Sequence, residues 1–497
     1  MQASAAALVW CLLYGVFAAS GQISSQPASS HPAGIAESPY QAADRVSAKS
    51  LEAHVYFLAS DLLEGRDTPS KGLEMAAEYI AAQFRRAGLQ APVDGSYFQN
   101  AAMVLRTPNV AGFELRFHGE GEDVAIKPEY VGGVLPAGLQ LATAPVIKVS
   151  DAAGLEKLTA EQVRGGIVIT DLGTAERRKI LGLDPAAILV LDRKSDSPFR
   201  RTIRLIDPKE EKKHGPVLLG LRGKDAIAFF ERLPEGRTNA TAALSIPQQQ
   251  DEKPVTLRNV IGVLPGSDPE LKDTYIILSA HYDHIGLADP AKDDRVFNGA
   301  NDNASGTASL IEVASALASS NARPKRSIVF LAYFGEEKGL LGSQYYARNP
   351  VFPLEKTVAQ INLEQLGRTD DSEGPQTSTA SLTGFDYSDI GVTLEMAGKR
   401  TGVKVYKHET NSDAFFNRSD NLSLAREGIP AHTLSASFEF PDYHGTGDEW
   451  DKLDYENLAR INRMLVMGLV LLGENPVPPA WNKSNPKTEP YWSQGDI

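Results

Sequence analysis

Two hydrophobic periodicities alternate along the chain and separate helices from strands. Residues 48–63 carry Leu51, Val55, Leu58 and Leu62 three or four apart, which lines one face of a helix. Residues 69–87 repeat the pattern with Leu73, Ala77, Ile80 and Phe84, and Gly88 stands where a left-handed C-cap belongs. Two helices alone bury too little apolar surface, so both belong with the main domain. From about 112 to 247 the texture changes to short β-like runs at 144–149, 166–170, 187–191 and 217–220, joined by turn-rich links. No acid or imidazole cluster ends any of them, and the charge-dense stretch 202–214 reads as a solvated loop. From 255 onward strand and helix patterns alternate. Strands fall at 255–264, 274–280, 327–334, 358–363 and 431–435, and helices at 304–319, 390–402 and 455–472. This alternation predicts an α/β fold: a mixed, mainly parallel sheet with helices on both faces, formed by 44–111 and 248–497. The span 112–247 is then an inserted, β-rich domain, and the Pro-, Trp- and Asn-rich stretch after Glu474 a surface strap.

Length and charge narrow the class. A chain of 497 residues can bury a large core and divide into two domains. A net charge of −13 argues against a nucleic-acid partner, which selects for basic faces. The apolar run 5–19, followed by Ser20 and Gly21, reads as a signal peptide over 1–21. A transmembrane anchor is the competing reading, but the run is shorter than the ~20 residues a spanning helix needs. Residues 22–43, rich in Ser, Pro, Ala and Gln, read as a flexible leader. The single Cys11 lies inside the signal, so the mature chain would contain no cysteine. An exported protein of the periplasm or medium is expected, with no membrane span after cleavage and no thiolate ligand or nucleophile.

Candidate chemistry gathers where the apolar runs of 275–364 stop. His281 and Asp283 follow Tyr275–Leu278, and Glu336 and Glu337 follow the β-rich run beginning at Ser327. Glu364 ends another run, His444 comes a short loop after 431–435, and Asp302 opens a small-residue helix. Ligand sites of open α/β sheets lie outside the carboxyl ends of strands, and a helix N-terminus suits an anion. Taken singly, each group has an ordinary reading: a surface loop, a solvated turn, an Asx-turn, a salt bridge. Together they form a nitrogen and oxygen donor set that fits a hydrolytic zinc site. Two metals about 3.5–4 Å apart would need a bridging carboxylate. His284, His408 and His432 lack this context and read as structural.

The series His281-x-Asp283, Gly299-Ala-Asn-Asp302-Asn-Ala-Ser-Gly306, Glu336-Glu337-x-Gly-Leu-x-Gly-Ser343, Asn362-Leu-Glu364 and Tyr443-His444-Gly-Thr-Gly-Asp448 resembles the co-catalytic zinc aminopeptidases. That family includes bacterial leucyl aminopeptidases, the yeast vacuolar aminopeptidase and glutamate carboxypeptidases. The resemblance covers 255–472 and 51–88, where Phe57-Leu-Ala-Ser-Asp-Leu-Leu-Glu-Gly-Arg66 is similar to the N-terminal helix and turn of bacterial members. Residues 163–170 are similar to part of a protease-associated domain.

The resemblance implies two zinc ions per chain, bridged by Asp302. Glu337 and His444 would complete one ion's shell, and His281 and Glu364 the other's. It also implies that Glu336 is the general base, taking a proton from the metal-bridging water and delivering it to the leaving amine. Asp283 would orient His281, Asp448 could do the same for His444, and Tyr443 is a candidate donor to the oxyanion. In one departure Glu364 stands where many members have Asp, an arm longer by about 1.5 Å. The implied activity is that of a secreted zinc exopeptidase acting on peptides, an aminopeptidase first. A dipeptidase or glutamate-type carboxypeptidase is the alternative, since Arg418 and Lys407 could face a substrate carboxylate. A one-zinc glutaminyl cyclase or a receptor-like protein on a dead peptidase fold should have lost ligands, and all five remain.

Overall fold

The computed structural model describes residues 39–492 apart from 108–109, 120, 122, 134–137, 196, 200–203, 207–216, 248–250, 289–292 and 321–322. The expected signal peptide, Cys11 and most of the expected leader lie outside the described residues. The leader's last part does not remain a loose strand: Pro39–Ala43 is a short helix, with Ala42 and Ala43 buried in the main core. Small side chains let this turn lie close to the chain's last long helix.

A nine-stranded mixed sheet organises the molecule. Its order is Lys404–Tyr406, Thr379–Leu382, Ala431–Ser435, Thr357–Glu364, Tyr275–His281, Ser327–Tyr333, Asp251–Leu264, Phe98–Thr107 and Arg204–Ile206. The four central strands, from Ala431–Ser435 to Ser327–Tyr333, run parallel, so their carboxyl ends share one edge. Antiparallel strands flank them, including Asp251–Leu264 against Phe98–Thr107. Strand side chains alternate between faces. Ile276, Leu278, Ile328 and Phe330 enter one apolar cluster, and Ile277, Val329 and Leu331 enter another on the opposite face.

The helices of the first face form as their sequences direct. Lys71–Ala87 is capped by the Ser70 side chain accepting from Leu73 N, and Gly88 ends it in the left-handed region. Leu73, Ala77, Ile80 and Phe84 are its buried stripe. Ala48–Leu58 is shorter than its periodicity suggested, because the chain tightens into a 3-10 segment at Asp61–Arg66. Ser305–Ala318 is buried along nearly its whole length, between the sheet and four other helices. Gly306 permits this: a Cβ there would lie 2.8 Å from the Leu363 carbonyl oxygen and 2.3 Å from Asn303 Oδ1. The sheet and the opening turn of this helix are therefore as close as backbone allows.

A second, eight-stranded sheet is built from strands between Glu114 and Ser245 and has apolar clusters of its own. The strand Arg204–Ile206 leaves that sheet and pairs antiparallel with the edge of the first. Part of the expected solvated loop 202–214 is thus sheet, because the open edge of Phe98–Thr107 offers unpaired backbone groups; the rest of it lies outside the described residues. The expected strap after Glu474 is anchored by aromatic side chains: Trp481 and Tyr491 are buried in the second-face cluster with Phe416. No helix among the described residues is long and apolar enough to cross a membrane.

Candidate metal centre

The parallel strands deliver their terminal residues to one edge. His281 is the last residue of its strand and Glu364 the last of the neighbouring one. Glu336 and Glu337 lie just past Ser327–Tyr333. Asp302 reaches the same edge from the turn before Ser305–Ala318, where Gly299 takes a positive φ of 58°. A Cβ on Gly299 would strike the Asp302 carbonyl oxygen at 2.3 Å and the His284 ring at 2.5 Å, so only glycine fits this turn.

Asp302 is the centre of the arrangement. Its Oδ1 lies 3.5 Å from His281 Nε2, and its Oδ2 lies 3.2 Å from His444 Nε2. Glu364 Oε2 is 3.2 Å from His281 Nε2, and Glu337 Oε1 is 3.4 Å from His444 Nε2. Ligand atoms on the corners of a zinc tetrahedron with bonds of about 2.0–2.1 Å stand about 3.3 Å apart. The imidazole–carboxylate pairs of the two groups, which share Asp302, already have that spacing, and His284 also comes together with Asp302 and Glu337, their ligand atoms lying within 4.8 Å of one another. All donors are nitrogen or oxygen, and Asp302 turns one carboxylate oxygen toward each group.

Charge fits the same reading. Burial alone would lower the His281 imidazole, but Glu364, Asp283 and Asp302 raise it well above 6.5. Hydrogen bonds to Asp302 and Glu337 lift His444 to about 10. Burial disfavours the Asp302 carboxylate, yet contacts with His281 and His444 hold it well below the usual range. Glu337 is held at about 2: burial and Asp302 push it up, and His284 and His444 outweigh them. Acids that draw protons this strongly onto two imidazoles would draw divalent cations equally, with release of those protons. Glu336, which belongs to neither group, is pushed well up by burial, with the charges of Glu364, Asp420 and Glu337 adding to the effect and His281 opposing it.

The supporting contacts differ in part from expectation. Asp283 is fully buried, and His281 Nδ1 lies 3.2 Å from its backbone carbonyl and 3.6 Å from its carboxylate. The carboxylate accepts instead from Glu336 N at 3.0 Å and Thr68 Oγ1 at 3.1 Å. Asp448 does not orient His444: it accepts from the backbone N–H groups of Asn301 and Asp302, fixing the turn that presents Asp302. The reason is positional, since a carboxylate beside two free N–H groups is satisfied there first. The extra methylene of Glu364 is accommodated by Ser419, whose Oγ donates to Oε1 at 2.5 Å while Oε2 faces His281. Tyr443 is half-exposed and its ring stacks on His444, with centroids 4.0 Å apart.

Three contributors were not singled out from sequence. His284, read as structural, has Nδ1 3.0 Å from Glu337 Oε1, beside His444. Only its place three residues after His281, past the strand end, could have marked it. Arg66 is buried, and its guanidinium donates to the carbonyls of Leu58, Tyr282, Asn298 and Gly299, tying together the loops that carry Asp283 and Asp302. Ser419 could not be read without the fold. His432 is structural as expected, bonded to Ser388 and the Thr383 carbonyl, and His408 meets Glu373 away from the centre. A cavity of about 520 Å³ opens over the centre; Phe415, Arg418, Phe438 and Tyr443 are among its walls.

The parallel strands of an α/β sheet thus gather two carboxylate–imidazole groups around one shared aspartate, an arrangement that could hold metal ions. Residues 259–468 match the model of peptidase family M28. Leucine aminopeptidase 1 of Ajellomyces capsulatus is 27% identical over 256 residues, 50% of this chain and 64% of that protein. Leupeptin-inactivating enzyme 1 of Streptomyces exfoliatus is 26% identical over 220 residues, 44% of each chain. The chain thus spans less than two thirds of the length of these relatives. Among solved structures, the aminopeptidase from Aneurinibacillus sp. strain AM-1 shares the fold with a TM-score of 0.57, at 20% identity over 89% of this chain and 97% of that one.

Proposed function

We propose that this chain is a zinc-dependent exopeptidase that removes N-terminal residues from peptides. The observation that carries the reading is Asp302, with one carboxylate oxygen toward His281 and the other toward His444. Zinc held by His281, Asp302 and Glu364 and by Asp302, Glu337 and His444 would polarise the scissile carbonyl and acidify the attacking water. Glu336 lines the same cavity and stands outside both groups, which suits the general base. It takes the proton of the attacking water and returns it to the leaving amine. Tyr443, on the cavity wall, is the donor to the developing oxyanion. The names of the relatives support cleavage at the amino terminus over release of a C-terminal residue. Export to the periplasm or medium belongs to the proposal, as does the reading of 112–247 as an inserted domain that modulates access. The test is metal analysis of the purified chain with hydrolysis of aminoacyl-arylamides before and after chelation. About two zinc per chain and chelator-sensitive hydrolysis are expected; a chain that cleaves equally well without metal overturns the reading.

A further inference from the structure

Arg418 is the cation on the cavity wall that the metal centre does not use. Its side chain is exposed, and its guanidinium carbon lies 4.4 Å from the centre of the Phe415 ring. Among the described residues it meets no carboxylate, whereas Lys407, the other candidate cation, is paired with Asp386 and Asp413. The ring beneath it is braced in turn by Phe438, centroids 5.0 Å apart. A guanidinium resting on an aromatic wall is positioned before anything binds, and its in-plane N–H fork matches a carboxylate with two parallel hydrogen bonds. The next residue, Ser419, is bonded to Glu364. The loop therefore joins the cation directly to the metal-binding floor of the same cavity.

Resting on the exopeptidase reading, we propose that Arg418 binds a carboxylate of the substrate, so that short peptides with a free carboxyl group are preferred. A dipeptide or tripeptide is about 7–11 Å long when extended, and Arg418 lines the same cavity as His281, Asp302 and Glu364. An acidic side chain beyond the cleaved bond offers the same chemistry, and the assay separates the two. The neighbouring Glu439 carboxylate accepts from Ser372 Oγ at 3.2 Å. No ion pair joins it to Arg418 among the described residues.

The experiment compares kcat/KM of the zinc-loaded chain for Leu-Leu and Leu-Leu-amide, and for Leu-Glu-amide and Leu-Gln-amide, in wild type, Arg418→Gln and Arg418→Lys. The wild type is expected to favour the acid over its amide by about tenfold in one of the pairs, mostly through KM. The pair that shows it identifies the carboxylate as terminal or side-chain. Arg418→Gln should bring that ratio close to one, and Arg418→Lys should restore part of it. Each ratio is taken within one preparation, so a general loss of activity or folding cancels. A ratio unchanged in Arg418→Gln, or a wild type without preference in either pair, overturns the proposal and leaves the exopeptidase reading standing. No cleavage of any of the four by the zinc-loaded wild type overturns that reading and this one with it.

Discussion

Glu336 and Glu337 are adjacent in sequence and chemically opposite. Glu337 lies against two imidazoles and is held ionised, whereas Glu336 is buried among like charges that push its carboxyl up. Neighbouring acids with environments that separate their proton affinities can divide ligand and proton-transfer duties. Glu336→Gln keeps the shape and removes the basic oxygen. It is expected to retain full zinc by metal analysis while kcat falls by about 10²–10⁴; unchanged turnover would end the general-base assignment. Sequence marked both residues, because an apolar run ended at them. The partners that set them apart were not visible: His284 looked like any loop histidine, and Ser419 lies 55 positions from the Glu364 it bonds.

At the scale of elements, the centre depends on how closely three loops approach each other. The turns after Tyr275–His281 and before Ser305–Ala318 carry Asp283 and Asp302, and Arg66, from the turn between the first two long helices, donates to carbonyls in both. Burial pulls this guanidinium down to about 10, against the raising effect of Asp283, Asp448, Asp302 and Glu337, so it remains charged. Lysine has the charge without the planar fork. Arg66→Lys is expected to weaken zinc retention about 10–100-fold in chelator competition, as loss of an outer-sphere partner does, and to lower the melting temperature. Equal retention in a folded variant would show that the loops hold themselves. The strands and helices of this region were legible from periodicity, and Ala431–Ser435 falls where its apolar run predicts. The short strands Thr379–Leu382 and Lys404–Tyr406 were not, since three or four residues carry too little period to read. The Phe57–Arg66 motif was seen, but that its arginine turns inward is a tertiary fact.

For the whole molecule, buried histidines set a limit on acid tolerance. Burial holds His432 at about 4, outweighing the Thr383 carbonyl bond that would raise it, and His54 is likewise held at about 4 by burial, with Arg86 adding to the effect. The unfolded chain has an ordinary imidazole near 6.5. Above that pH both states are neutral and His432 adds no pH dependence. Between about 6.5 and 4 the unfolded state alone gains the proton, so stability falls as acid is added, by up to about 3 kcal/mol for His432. Urea unfolding of wild type and His432→Gln at pH 7 and pH 5, with chelator present so that zinc loss plays no part, isolates this contribution, because groups with raised proton affinity such as Glu336 and His444 titrate alike in both. Relative to wild type, His432→Gln should gain stability on going to pH 5, and an equal change in both would mean that the imidazole is already protonated in the fold.

The turn Pro486–Tyr491, the last among the described residues, bears on the wall of the cavity although it is distant from it in sequence. Tyr491 reaches the Asn417 side chain at 2.7 Å, and with Trp481 it clamps Phe416, immediately before the loop that carries Arg418 and Ser419. Shortening the protein from its carboxyl end ahead of Trp481 would release the substrate-facing wall while leaving every donor atom of the metal centre in place. Such a truncation should alter which peptides are accepted before it alters how much metal is held.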